Sequence, residues 1–219
     1  MGEMIGNEDG EEQQDCQRNA MKRWLSTHSE EYTWLKPTLL GDDVFWNYPI
    51  CKEITEHGMS FIFTCKEETH PWLSEIVKYA YLEAKTMREW NGRHHVVYRY
   101  RWLNGVDIRD NRETMAVNYV YMEIAHKEKK KITYKHSWIT NKEVTEENVA
   151  LIAKCGRARW KIENEHTNVL KNHGYHLEHN FGHGEDHASE MFCLLNLLGF
   201  LYHGILGLAD EEYQVYLPI

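Results

Sequence analysis

Cysteine is scarce in this chain, with five in 219 residues and no CxxC pair. Cys16, Cys51, Cys65, Cys155 and Cys193 are odd in number and far apart, which argues against a disulfide framework and a cysteine zinc site and fits a reducing cytosol. Proline is scarcer still, at four, so few elements are interrupted by a missing backbone donor. Positive charge is also in deficit: the net charge of -9 argues against nucleic-acid binding over the whole surface, because that binding is driven by Lys and Arg releasing counterions. The N-terminus has no basic stretch followed by an apolar run, so no secretory signal is expected. Long apolar runs are missing except for "MFCLLNLLGFLYHGILGL" (Met191 to Leu208), where Asn196 and His203 intervene. That stretch is expected to be a buried C-terminal helix, with no membrane partner.

What the chain has is enough apolar and aromatic material for a sizeable core, 42% hydrophobic with eight Trp and thirteen Tyr. Its cations gather in two patches, "KEKKKITYK" (Lys127 to Lys135) and "KCGRARWK" (Lys154 to Lys161), set against an acidic start with Glu3, Glu8, Asp9, Glu11 and Glu12.

Apolar spacing lays out the elements. Cys16, Ala20, Met21, Trp24 and Leu25 predict a helix opened by Asp15. "PTLLGDDVF" predicts a short strand ending in Gly41, Asp42 and Asp43, "NYPICKEITEHG" a helix, and "MSFIFTCK" a second strand. From Pro71 the three-four spacing of Leu73, Ile76, Val77, Ala80, Tyr81 and Ala84 predicts another helix. After Arg93 the texture becomes β-rich. Tyr98, Tyr100 and Trp102 alternate with Arg99 and Arg101, Asn104-Gly105 reads as a turn, and "MAVNYVYMEIAH" and "KITYKHSWIT" read as strands. A long helix is then expected from Thr145 to Gly174, and after "FGHG" the apolar C-terminal one.

On the long helix Val149, Ile152, Ala153, Gly156, Trp160, Glu163, Thr167 and Leu170 recur at three or four residues, which places a carboxylate on the apolar stripe. One reading is an Arg159-Glu163 pair at i, i+4. The other is that Glu163 joins Asp42 or Asp43 at a strand end, where the sites of open α/β sheets collect. Carboxylates converging from distant parts of a chain supply the hard oxygen ligands that Mg²⁺ ions require for phosphoryl transfer.

"RWKIENEHTNVLKNHGYHLEHNFGHG", "DCQRNAMKRWL" and "PTLLGDDVFWNYPICKEITEHGMSFIFTCKEETHPWL" resemble the insertion-sequence DDE transposases with a Tyr-Arg-Glu-Lys signature. The resemblance covers nearly the whole chain. It implies an α/β, RNase H-like mixed sheet flanked by helices, with residues 1–92 as the central part of the catalytic core, 93–144 as a β-rich insertion and 145–219 as the C-terminal helices. It also implies DNA as partner, as element ends and target, with a homo-oligomer or pairing with full-length transposase. Two Mg²⁺ or Mn²⁺ ions would serve in strand cleavage and transfer. Asp42 matches the second catalytic aspartate with Asp43 as the adjacent alternative, Glu163 matches the glutamate, and Asp42 and Glu163 would hold metal. Arg159, Arg157 and Lys171 would meet DNA.

The sequence departs from the pattern in three places. The signature tyrosine should fall near Gly156, Lys171 stands eight residues past Glu163 where seven are expected, and "MGEMIGNEDGEEQQ" does not read as a strand carrying a first aspartate. Asp9 there reads as a solvated loop acid. The expectation is therefore a sheet incomplete at its N-terminal strands, with little or no strand-transfer activity. The alternative is an inactive remnant that binds DNA or pairs with another subunit. A rival zinc reading of His179, His183 and His187, with His173 and His176 nearby, is weakened because "NFGHG" breaks the helical face the spacing needs. Trp102 and Trp138 would either pack the sheet or stack on a flipped base.

Overall fold

The computed structural model describes residues 16–109, 112–126, 131–178 and 188–216. The chain forms two units, residues 1–159 and 160–219. The first is built on a six-stranded mixed sheet in the order β1-β2-β6-β5-β4-β3. Its strands are β1 (Thr38–Gly41), β2 (Ser60–Thr64), β3 (Glu83–Trp90), β4 (His95–Asp107), β5 (Ala116–His126) and β6 (Lys131–Thr140). Only β1 and β2 run parallel; the remaining pairs are antiparallel. Helices α1 (Gln17–Tyr32), α2 (Tyr48–Glu56), α3 (Pro71–Tyr79) and α4 (Val149–Lys161) flank the sheet.

The period-2 alternation of the strands divides the core between the two faces. Phe61, Phe63, Tyr119 and Ile139 point to one side and pack with Leu25 of α1, Ile50 and Ile54 of α2 and Leu73 of α3. Ile62, Tyr100, Trp102, Val120, Met122 and Trp138 point to the other and receive Val149, Ile152 and Ala153 of α4. Burying a side chain of this size contributes about 1.5–3 kcal/mol, so each helix is held by a few such residues on one face. Trp102 and Trp138 are 2% and 1% exposed; they pack the sheet and are not available to stack on a base.

Several expectations are corrected. The helix from Pro71 ends at Tyr79, and the following residues form β3, paired with β4 along its whole length. "EAKTMREW" has few β-branched residues, so this strand is imposed by its cross-strand neighbour and not by local preference. Asn104-Gly105 is not a hairpin turn. It lies inside β4 at a bulge between Leu103 and Val106, where Gly105 adopts φ +71°, a conformation glycine takes without penalty. Asn104 there donates to the Val144 carbonyl and accepts from its amide, at 2.8 and 3.1 Å, fastening the entry to α4. The N-cap of α1 is Cys16, with no side-chain cap bond; Asp15, like Asp9 and residues 127–130 of the basic patch, lies outside the described residues.

The helix expected from Thr145 to Gly174 is also subdivided. α4 begins at Val149, Ile162–Thr167 is a π-helical turn, and α5 covers Asn168–Asn172. The second unit continues with α6 (Ala188–Ala209) and α7 (Glu211–Tyr216). α6 was expected to be buried, yet none of its residues is. Leu194, Leu198, Leu201 and Ile205 are all more than half exposed. By length and composition it is long and apolar enough to cross a membrane, a property it shares with core helices of soluble proteins.

Candidate active site

β1 delivers Asp42 directly after Gly41. Because Gly41 is in register with Phe63 in the parallel pair, Asp42 follows at the level of Thr64, the last residue of β2. Trp138 of β6 is the next partner across, opposite Thr64. The corner is thus the C-terminal end of the parallel strands, the usual site position in an open α/β sheet.

The two adjacent aspartates play different parts. Asp42 caps a short 3₁₀ turn over Asp43–Phe45, its Oδ1 accepting from the Asp43 amide at 2.7 Å. Its other oxygen takes no hydrogen bond from any described residue. Asp43 is committed on both oxygens: Oδ1 accepts from the Lys66 amide at 2.9 Å and from His70 Nε2 at 3.0 Å, and Oδ2 from the Thr69 hydroxyl at 2.7 Å. Asp43 therefore ties the chain after β2 to the chain after β1.

His70 stacks on Trp46 with ring centroids 3.4 Å apart. Its pKa is lowered because burial outweighs the opposing attraction of Asp43, so the ring is neutral and its Nε2–H is the donor to the carboxylate. Cys65, buried beside this corner, has its thiol pushed up to about 12 by desolvation, which leaves it a packing residue without nucleophilic character.

Across the sheet, His136 of β6 comes within 3.5 Å of the Thr64 hydroxyl. Its pKa is lowered by burial and by Arg159 and Lys66, and raised by Asp42. These influences place Asp42, Arg159, Lys66 and His136 in one electrostatic neighbourhood. Thr64, Lys66 and His136 were not anticipated as its members. The alternation in "KITYKHSWIT", which puts His136 on the face of Trp138, was the available clue.

α4 brings Arg159 to this neighbourhood through a close approach at Gly156. A Cβ there would meet the Trp138 indole at 2.6 Å. Trp138 fills the space that a larger side chain at 156 would need, which gives a physical reason why no tyrosine stands at this point of the signature. Arg157 lies with its guanidinium 4.8 Å from the Tyr134 ring centroid, a cation–π contact.

In the second unit, Glu163 sits on the π-helical turn, and its side chain lies outside the described residues. The apolar stripe on which it was read is shorter than expected: Val149, Ile152, Ala153 and Gly156 are buried, but Trp160 is 62% exposed. The π turn resets the helical phase here, with the Thr167 hydroxyl donating to the Ile162 carbonyl and Asn164 Nδ2 to that of Trp160. Such turns are frequent at functional sites. Lys171 is ion-paired with Glu178. His179, His183 and His187 of the zinc reading lie outside the described residues.

Among the described residues no three His, Cys, Asp or Glu side chains come together to hold a metal. Asp42 fits as one hard oxygen ligand. The described donors alone do not complete the near-octahedral shell that Mg²⁺ demands.

A mixed sheet flanked by helices, with an aspartate leaving the end of a parallel strand, defines an RNase H-like α/β core. The model of the transposase DDE domain family matches residues 15–201, and the chain belongs to that family. A search of curated proteins finds no match.

Proposed function

We propose that this chain is the catalytic portion of a DDE transposase that cleaves DNA at the ends of an insertion sequence and joins them to target DNA in the cytoplasm, with its activity impaired in the isolated chain. The observation that carries the reading is the asymmetry of the corner after β1: Asp43 is fully engaged within the protein, while Asp42 keeps one carboxylate oxygen without a described partner. Asp42 would hold Mg²⁺ or Mn²⁺ together with Glu163, and Asp43 would position the corner. Arg159 would meet the scissile phosphate, with Arg157 and Lys171 as further DNA contacts; Lys171 would first have to exchange Glu178 for phosphate. A bound divalent ion supplies activation of the attacking hydroxyl and stabilisation of the leaving oxygen.

Calorimetric titration with Mn²⁺ tests the reading. Asp42→Asn and Glu163→Gln are each expected to weaken binding at least about tenfold, a loss of roughly 1.4 kcal/mol, with the fold intact. Unchanged Mn²⁺ affinity in both variants would overturn the assignment. Metal-dependent DNA nicking by the wild-type chain, abolished by Glu163→Gln, would overturn the impairment. No nicking and no metal binding would leave a DNA-binding or subunit-pairing remnant.

A further inference from the structure

α3 ends at Tyr79, but the sheet beneath it continues. Beyond the helix, Arg101 of β4 lies in register with Tyr121 of β5, and Tyr121 with Ser137 of β6. This row floors a cavity of about 770 Å³. One wall is the end of α3 with Lys78 and the segment through Tyr81; the other is the chain after β2, from Cys65 to Glu68. The cavity belongs wholly to the first unit.

Its charge runs against that of the chain. Lys66, Lys78, Arg101 and Lys135 line it, against the two carboxylates of Glu67 and Glu68, in a protein of net charge -9. All four cations are exposed, and none forms an ion pair with a described residue. Arg99, in the row that Lys135 shares, is paired with Glu123 at 2.8 Å. The groove thus gathers four cations against two carboxylates. Aromatic faces are interleaved with the cations: Tyr121 on the floor and Tyr81, 88% exposed, at the rim. Cations along a groove with aromatic platforms between them are the requirement for holding a single nucleic-acid strand, phosphates on the charges and bases on the rings.

The groove also leads to the corner. Lys66 lines it, and its backbone amide is bonded to Asp43. We propose that this groove, between the end of α3 and the β4-β5-β6 face, binds a single DNA strand adjoining the strand presented to Asp42, with Arg101, Lys135, Lys66 and Lys78 on phosphates and Tyr121 stacking on a base. The proposal rests on the transposase reading for the identity of the polymer, while its binding site is defined without reference to metal.

The test is fluorescence anisotropy of a short labelled single strand on the full chain, in chelator, over a salt series, beside the matching duplex and an oligoglutamate of equal charge. Arg101→Gln with Lys135→Gln is expected to weaken single-strand binding at least about tenfold. It should also lower the slope of log K against log salt by about 1.4, since each phosphate contact on a single strand contributes about 0.7. Lys66→Gln with Lys78→Gln, on the opposite walls, should do the same, which keeps the test valid if the first pair perturbs the sheet. Tyr121→Ala should weaken binding about tenfold and Tyr121→Phe should leave it unchanged. Lys154→Gln, a change to an exposed lysine on α4, should have no effect. Unchanged affinity and slope in both groove pairs, or oligoglutamate binding as tightly as the strand, would overturn the proposal. Tighter binding of the duplex, lost in the same variants, would also overturn it as a single-strand site. Because no metal is present, failure here leaves the Mn²⁺ result standing, and failure of Mn²⁺ binding leaves this one standing.

Discussion

The corner after β1 and the helical stretch from Arg157 to Thr167 both carry acids expected to act in catalysis, but they are held in different ways. At the corner, Asp43 is a side-chain hub bonded to Lys66, Thr69 and His70, with His70 stacked on Trp46. The helical stretch has mostly exposed side chains, a Lys161–Glu165 pair at 3.8 Å with both partners more than half exposed, and a change of helical register. An exposed pair of that kind contributes a few tenths of a kcal/mol. The corner is therefore fixed by its own bonds, whereas α4, which leads into the helical stretch, packs on the sheet through its turns up to Gly156 beside Trp138.

That contrast can be broken at three points. The largest effect is expected from Asp43→Ala, which leaves the Lys66 amide, the Thr69 hydroxyl and the His70 ring without their acceptor. About 3 kcal/mol should be lost, as hydrogen bonds to a charged group are worth about 1.5–3 kcal/mol each and are not additive. In a chain of this size the melting temperature would fall by about 6–12 °C. Asp42→Asn, which can keep its single cap bond, should shift it by less than about 2 °C. Equal losses in the two variants would remove the distinction between the aspartates.

Next is Gly156→Ala, which drives a methyl group into the buried Trp138 indole. Overpacking of this kind costs about 1–3 kcal/mol, readable in urea denaturation, and Gly156→Ala combined with Trp138→Phe should recover part of it. A Gly156→Ala variant as stable as the parent would show that α4 does not lie this close to the sheet.

The smallest effect is that of acid. His70 and His136 have lowered pKa values in the folded chain, so well above pH 6.5 both are neutral, folded or unfolded, and contribute no pH dependence. As the pH falls through 6.5 the unfolded chain takes up protons first, and stability declines until the folded pKa values are reached. The urea midpoint should drop between pH 7.5 and 5.5, and less so in His136→Gln. A midpoint that rises on acidification would mean that Asp43 dominates over burial at His70.

Much of the fold was legible in the sequence because period-2 and period-3.6 patterns report directly which faces are buried. The alternation of Tyr98, Tyr100 and Trp102 against Arg99 and Arg101 is an example, while "SFIFT" is a short apolar run that marks a strand buried on both faces. β3 was not legible, since "EAKTMREW" has no strand pattern of its own and becomes a strand by pairing with β4. Asn104-Gly105 was legible as a special backbone site but not as a bulge, because the same dipeptide suits a turn. At the candidate site, the placement of Asp42 and Asp43 at a strand end could be read from "TLLGDD". Their division of labour could not, because it depends on Lys66, Thr69 and His70, more than twenty residues away.

The sequence by itself determined that this is an α/β chain with a β-rich block, a DDE-family motif set and two acids leaving a strand, since apolar periodicity and residue identity are local properties. Only the tertiary structure decided that Asp43 is the hub, that Trp138 occupies the space beside Gly156, that α6 buries none of its residues, and that four cations scattered from Lys66 to Lys135 line one groove. Each of these depends on which distant groups meet, and that is set by strand register and helix packing.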